Sequence, residues 1–504
     1  MRGRDSRRAI SIAAVSLVSH LIAVAAGLRV SSASLSTYSL TLPWHLLPLP
    51  SLRHDLWSSL LHLHSQPPLF NLVTGILIRF NLPIQLILSN ATLIAFSILL
   101  AVSAYFLMRE LAVGRRTATL SVLVLIVADP AQLLYPSAFF YTVPTAALVT
   151  SLGWAAAYWV RTKRVSAGIA YGSIAAVLIL TNSSYQIYVI ALATVPLAYL
   201  LRREWRNVVK ALCVPTLIVG LWYINDFAQF GTLTTSSWLG MNLARVTTMT
   251  DSPADLSLLV RQGVISSTSL IRPFSCLRQY GPLGVSAPTG IVALDQRDKI
   301  QCPPGLMGFA YGRPNYNNIA YIKISERYLS DDLKWIEHRP LTYVKHLVVG
   351  FKIWTMPAEQ SSPFYTSSWK MSGYTALYDH VVELQISSDW NADYNTVFNN
   401  KPPGWNNISI TNLLITILDI LVLPIVIVLR RRRIPAGRTA TAIWLWLTTA
   451  IFFITSTLVE IGENNRFRFE LGALPIIAAV VALSWLANPG GDTVQYGPPQ
   501  WDER

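Results

Sequence analysis

The sequence predicts an all-α integral membrane protein. It has about ten transmembrane helices, a first outer loop of juxtamembrane helices and one large mixed extracytoplasmic segment. Three observations predict it. Of 504 residues, 52% are hydrophobic and 13% charged, roughly half the charge of ordinary soluble domains. Apolar runs long enough to span, about 17–25 residues each, fall at 9–30, 84–108, 117–135, 139–160, 165–182, 184–201, 207–226, 411–429, 440–459 and 470–487. Counted from an N-terminus on the inside, the inner loops are 109–116, 161–164, 202–206 and 430–438. Each is a Lys/Arg cluster, as the positive-inside rule requires.

The net charge of +14 would suggest nucleic acid in a soluble protein. Here the inner loops account for it, and no nucleic-acid partner is expected. The first run follows MRGRDSRR and resembles a secretory signal, but no small-residue cleavage site follows, so it reads as a retained helix. Within it His20 reads as a satisfied buried histidine. The chain then divides into an N-terminal membrane module, 1–226, whose first outer loop is 31–83; an extracytoplasmic segment, 227–410; and C-terminal membrane helices with a short tail, 411–504. No internal repeat, low-complexity tract or soluble terminal domain is evident.

The first outer loop carries Arg53–Leu72, RHDLWSSLLHLHSQPPLFNL, with Asp55, His54, His62, His64 and Gln66. Pro67 and Pro68 cannot lie inside a helix, so one short helix ends near Ser65 and another starts near Pro68. His62 and His64, two apart, face different sides of a helix and do not form a metal pair. Further on, 135–144 (YPSAFFYTVP) follows Asp129 and contains Tyr141. In the outer segment, 326–337 reads as an amphipathic helix. The apolar stretch 341–356 carries Lys345, His346 and Lys352 and reads as a helix lying on the membrane surface. Cys276 and Cys302 face an oxidising compartment on this topology, either as a disulfide or as two thiols. Asp419, in the middle of the 411–429 run, is a functional candidate or a structural hydrogen-bond partner.

Four stretches converge on the outer face. They are the opening loop, Asp129 with the Tyr141 turn, 225–242 (with Asn225, Asp226, Ser236, Ser237 and Trp238), and 462–470 (GENNRFRFE), with Glu463, Arg466, Arg468 and Glu470. Guanidinium forks suit a phosphate, so Arg466 and Arg468 are candidates to hold one. Asp55 is a candidate general base.

An acid-bearing first outer loop followed by Ser65-Gln66-Pro67-Pro68-Leu69-Phe70 resembles the GT-C glycosyltransferases. These include the lipid A aminoarabinose transferases and the protein O-mannosyltransferases. Arg466-Phe467-Arg468-Phe469 ahead of Pro475 resembles that superfamily's late RYR-type segment, and Ser236–Asn242 resembles uncharacterised bacterial members. The resemblance implies a multi-pass protein of the cytoplasmic or plasma membrane with an extracytoplasmic active site. It implies an inverting transferase that moves a sugar from a polyprenyl-phosphate donor to a hydroxyl of a glycan, lipid or protein. Asp55 would be the base and Arg466 and Arg468 would hold the phosphate. His54, His64, Gln66, Asp129, Tyr141, Ser237, Trp238 and Glu463 would bind substrate. His54 stands where many members have a second acid, and Pro136-Ser137 where many have another, so no metal and no cofactor are expected. A transporter or flippase of a lipid-linked glycan is the alternative; it calls for broken helices in paired positions of two repeats with sites near the midplane, but neither repeat symmetry nor a set of midplane charges is evident, and the polar residues cluster at one face.

Overall fold

The computed structural model describes residues 2–36, 45–295, 315–360, 369–385 and 407–487. Among them every regular element is a helix, so the described part of the outer segment is helical rather than mixed. Six helices are long and apolar enough to cross a bilayer: Arg4–Ala25, Leu82–Glu110, Thr142–Thr162, Arg202–Phe230, Ile410–Arg430 and Ala436–Val459. Two pairs pass the same test only together. Arg115–Val127 with Pro130–Ser137 bends by 57°, and Asn464–Glu470 with Leu474–Ala487 by 70°. Among the described residues the helices that pass by length and composition number six, or eight if each bent pair is one span, so the expected count of ten is not reached on that criterion. The runs 165–182 and 184–201 contain helices of only 15 and 14 residues, about 21–23 Å long against a hydrocarbon core of about 30 Å. Hydropathy had merged them with the turn that joins them.

Local sequence explains the ends. Asn81 caps Leu82–Glu110 by accepting from Ile84 N at 3.1 Å, with Pro83 in the first turn. Ser409 caps Ile410–Ile417 by accepting from Asn412 N at 3.0 Å. Thr142–Thr162 is the centre of the bundle, buried along most of its length. The outward faces of Arg4–Ala25, Ile187–Leu200, Trp205–Phe230 and Leu423–Arg430 expose Ile10, Val18, Ile22, Leu192, Val195, Leu217, Leu221, Ile425 and Val428. An apolar collar of this extent is what a bilayer covers.

The basic loops share one face. Asp5 accepts from Arg109 Nε at 3.2 Å and Arg115 Nε at 2.9 Å, Glu110 pairs with Arg161 at 2.9 Å, and Glu110 O accepts from Arg438 Nε at 3.2 Å. Within the spans the His20 ring lies between two backbone carbonyls, Ser16 O 2.7 Å from Nδ1 and Gln132 O 3.1 Å from Nε2, and donates its N–H to one of them. Asp419 accepts from Thr449 Oγ1 at 2.9 Å inside a π-turn.

The outer segment has its own aromatic core of Trp238, Phe274, Tyr280, Tyr316, Tyr321 and Tyr328. The expected amphipathic helix is Ala320–His338, and Pro340–Thr355 follows it, with Leu341 and Val344 exposed and Ile353–Thr355 buried. Cys276 is disulfide-bonded and Cys213 is free and exposed; Cys302 lies outside the described residues. Leu239–Val246 crosses Ala320–His338 at Gly240, where an added Cβ would lie 1.8 Å from Ser325 O and 2.6 Å from Leu329 N. Both obstacles are backbone, so neither can turn aside. Gly240→Ala is expected to cost about 3 kcal/mol by overpacking, read as a fall in unfolding temperature of the purified protein.

Candidate functional site

The double proline sets the first wall. Pro67 is extended and Pro68 opens the helix Pro68–Leu77, where a missing N–H costs nothing. Leu69 N donates to Leu180 O at 2.8 Å, which docks this helix beside the next membrane pair. The following two residues then act. Phe70 packs on Phe139, Phe140 and Tyr141 with ring centroids 5.3–5.8 Å apart. Asn71, fully buried, accepts from Leu47 N at 2.8 Å and donates to His45 O at 2.9 Å. This fork fixes His45 among Phe140 (5.3 Å), Tyr141 (5.3 Å) and Trp238 (5.6 Å).

The opposite wall is Asn464–Glu470, which places residues 463, 466 and 470 on one side. Arg466 is 3% exposed. It donates to Glu463 Oε2 from Nε at 3.1 Å and Nη2 at 2.5 Å, and to Glu470 Oε1 from Nη1 at 2.7 Å. Its guanidinium lies 5.4 Å from the Phe140 ring and 4.8 Å from Phe467. Glu470 is held from behind by Asn182 Nδ2 at 2.8 Å and Thr142 Oγ1 at 3.2 Å. Arg245 Nη1 sits 2.5 Å from Glu460 Oε1.

Electrostatics tie these groups together. Burial would raise Glu463, but Arg466 and then Arg245 outweigh it and hold its carboxyl below the usual range. Burial pushes Glu460 up to about 7 despite Arg245. Burial, with the Arg466 charge added, pushes His45 down to about 3, so its imidazole is neutral.

Arg466 and Arg468 do not form one clamp. Two residues apart on a helix, they project to different sides. Arg468 donates to Trp354 O at 2.9 Å, Met356 O at 2.9 Å and Asn412 Oδ1 at 2.6 Å, and so ties the end of Pro340–Thr355 to Ile410–Ile417. Beside it lie Asp129, Glu359, Asp379 and Glu383. Asp129 caps Pro130–Leu134 by accepting from Ala131 N at 2.8 Å, and Glu383 accepts from Asn412 Nδ2 at 2.5 Å. A cavity of about 30 Å³ bordered by Asp129, Gln132, Ala358 and Arg468 has room for water.

Burial, then Asp379, Asp129 and Glu383, raise Glu359 well above the usual carboxylate range, and burial also raises Asp379 and Glu383. Acids raised in the folded state keep protons that the unfolded chain releases. Their contribution to stability is whole below about pH 4 and is lost as pH rises through the raised values. Thermal unfolding followed across pH is expected to show this fall, and Glu359→Gln to flatten it.

The remaining predicted residues separate into two groups. His64 is a clasp: its N–H donates to Asn317 Oδ1 at 2.9 Å, Nδ1 meets Ser237 Oγ at 2.8 Å, and Nε2 meets Asn317 O at 2.9 Å. Burial pushes it down to about 4. Ser237 N donates to His64 O at 2.9 Å, and Gln66 Oε1 accepts from Ser183 Oγ at 3.2 Å. Tyr141 and Trp238 join His45 in the aromatic group. Asp55 and His54 are exposed, at the junction of the short helices Leu49–His54 and Leu56–Leu61. The structure thus brings together Tyr141, Trp238, Glu463 and Arg466, and sets Asp55, His54, Asp129 and Arg468 apart from them. His45, Asn71, Phe140 and Arg245 were missed. The one sequence signal for the first was a histidine between two prolines in LPWHLLP.

No family model matches the chain, and no curated protein matches it. Among solved structures, the crystal structure of ArnT from Cupriavidus metallidurans bound to undecaprenyl phosphate is similar over 91% of this chain and 77% of that one. The identity is 13% and the TM-score 0.27.

Proposed function

We propose that the protein is an inverting glycosyltransferase that moves a sugar from a polyprenyl-phosphate donor to an acceptor hydroxyl at the extracytoplasmic face. The observation that carries this reading is Arg466, a buried guanidinium at the entrance to a bent membrane helix pair, with both a part-exposed and a buried carboxylate on its fork. Glu463, whose side chain is 26% exposed, can swing away to admit a phosphate. Glu470, 0% exposed, keeps the fork aimed. An anion leaving from the end of a lipid chain needs this kind of arrangement: a positive group fixed beforehand in a dry site. The acceptor oxygen attacks the anomeric carbon and the bond from that carbon to the phosphate oxygen breaks. The phosphate charge falls on Arg466 and the acceptor proton goes to Asp55. Asp55 is exposed and its carboxylate caps neither of the short helices it joins, which leaves it available to take that proton. Arg468, occupied by three structural acceptors, shapes the mouth rather than the phosphate site. The transporter reading gains nothing from Asp419, which Thr449 satisfies.

The test is release of free polyprenyl phosphate from a panel of polyprenyl-phosphate sugars, in membranes that contain the native acceptor. Turnover that rises with the amount of this protein is expected. Purified protein that binds neither bare polyprenyl phosphate nor any member of the panel would sink the proposal.

A further inference from the structure

Two buried polar atoms face the seam between the opening loop and the outer segment without a partner: His45 Nδ1 and Trp238 Nε1. More than nine in ten such groups are paired in folded proteins, so two in adjoining rings call for a cause. We propose that His45, Trp238 and Tyr141 form the subsite for the donor's sugar ring, where one sugar hydroxyl accepts from Trp238 Nε1–H and donates to His45 Nδ1. This rests on the glycosyltransferase reading and adds where the sugar lies and what it must carry.

The seam is built from both sides. Asn71 pins His45 through its carbonyl. Trp238 is packed edge-on against Phe274 at 5.3 Å and Tyr316 at 5.8 Å, and the preceding residue, Ser237, is locked to His64. The two rings are therefore held 5.6 Å apart by separate parts of the chain, and neither can turn to satisfy itself. Tyr141 meets the His45 ring edge-on at 5.3 Å and packs on Phe140 at 4.1 Å, over which the Arg466 guanidinium lies at 5.4 Å, so the subsite adjoins the phosphate arm through a chain of ring contacts. A sugar phosphate has that same layout, with the ring one bond from the phosphate oxygen. The neutral imidazole beside Arg466 accepts from a hydroxyl and offers no charge to an acidic sugar. The ligand class is a neutral sugar with a free hydroxyl near the anomeric centre, its apolar face on the rings.

The test uses the full chain in lipid nanodiscs. Bare polyprenyl phosphate and polyprenyl-phosphate mannose, glucose, galactose and arabinose compete against labelled polyprenyl phosphate. Trp238→Phe keeps an aromatic face and removes the N–H; His45→Phe keeps a ring and removes Nδ1. The parent is expected to bind at least one sugar donor more tightly than the bare lipid. Each variant should weaken that donor about tenfold, the loss for one hydrogen bond, and leave the bare lipid unchanged. A structural role would instead weaken both ligands together and lower the unfolding temperature, and that result overturns the subsite. So does a parent that binds sugar-bearing and bare lipid equally. A parent that binds no polyprenyl phosphate at all overturns the glycosyltransferase reading itself.

Discussion

Arg466→Met is expected to abolish the proposed donor turnover and to destabilise the protein by about 3–5 kcal/mol, the usual cost of stripping one partner from a buried ion pair. The loss of stability follows from what stays behind. Glu463 and Glu470 would face each other across an apolar side chain, and Glu470 is fully buried with the guanidinium that pairs with it gone. The loss of turnover follows from the leaving group, because Arg466 is the guanidinium that lies over Phe140, 5.4 Å from its ring, where the phosphate charge would fall. Stability and chemistry can be separated. Arg466→Met with Glu470→Gln removes the stranded charge and should recover much of the unfolding temperature but none of the activity. Arg466→Lys keeps the charge without the fork, and turnover is expected to fall about 10²–10³-fold with a smaller stability change. Thermal unfolding beside release of polyprenyl phosphate measures both. Turnover that survives in the double variant would remove Arg466 from the mechanism.

Much of the frame is legible in the sequence, for reasons that end where contacts become non-local. Pro67-Pro68 must start a helix, which follows from local sterics. Hydropathy finds the membrane segments, but it cannot separate a 14-residue helix from a span when apolar turn residues extend the run, as at 184–201. Arg466 and Arg468 read as a pair only while 462–470 is taken for a loop. Once Asn464–Glu470 is a helix, two positions along it lie on different sides, and 463, 466 and 470 become the set that acts together. His45 was hidden for a different reason. Its place depends on Asn71, 26 residues later, and on rings from two other segments, and no local pattern encodes that. No sequence pattern singles out the acids Glu359, Asp379 and Glu383, yet all three are buried.

Asp55→Asn is the opposite case from Arg466, with a large effect on rate and almost none on stability. Asp55 is exposed, its carboxylate carries no described hydrogen bond, and the turn it occupies is held by backbone contacts, Asp55 N to Ser51 O at 3.0 Å and Ser59 N to Asp55 O at 2.9 Å. An amide fits the same space, so the unfolding temperature should stay within what a surface substitution allows, about 0.5 kcal/mol. If Asp55 takes the acceptor proton, the amide removes general-base catalysis, and turnover falls about 10²–10⁴-fold with donor binding intact. Asp55→Glu keeps the carboxylate on a longer arm and should retain part of the rate. His54→Ala, the adjacent exposed residue, should leave both quantities near the parent. Because stability is unaffected, the result is decisive in either direction. Full turnover in Asp55→Asn would mean that the acceptor proton goes elsewhere, and Glu463 is then the first acid to replace. It is part-exposed, ionised beside Arg466, and already at the wall where the donor phosphate would sit.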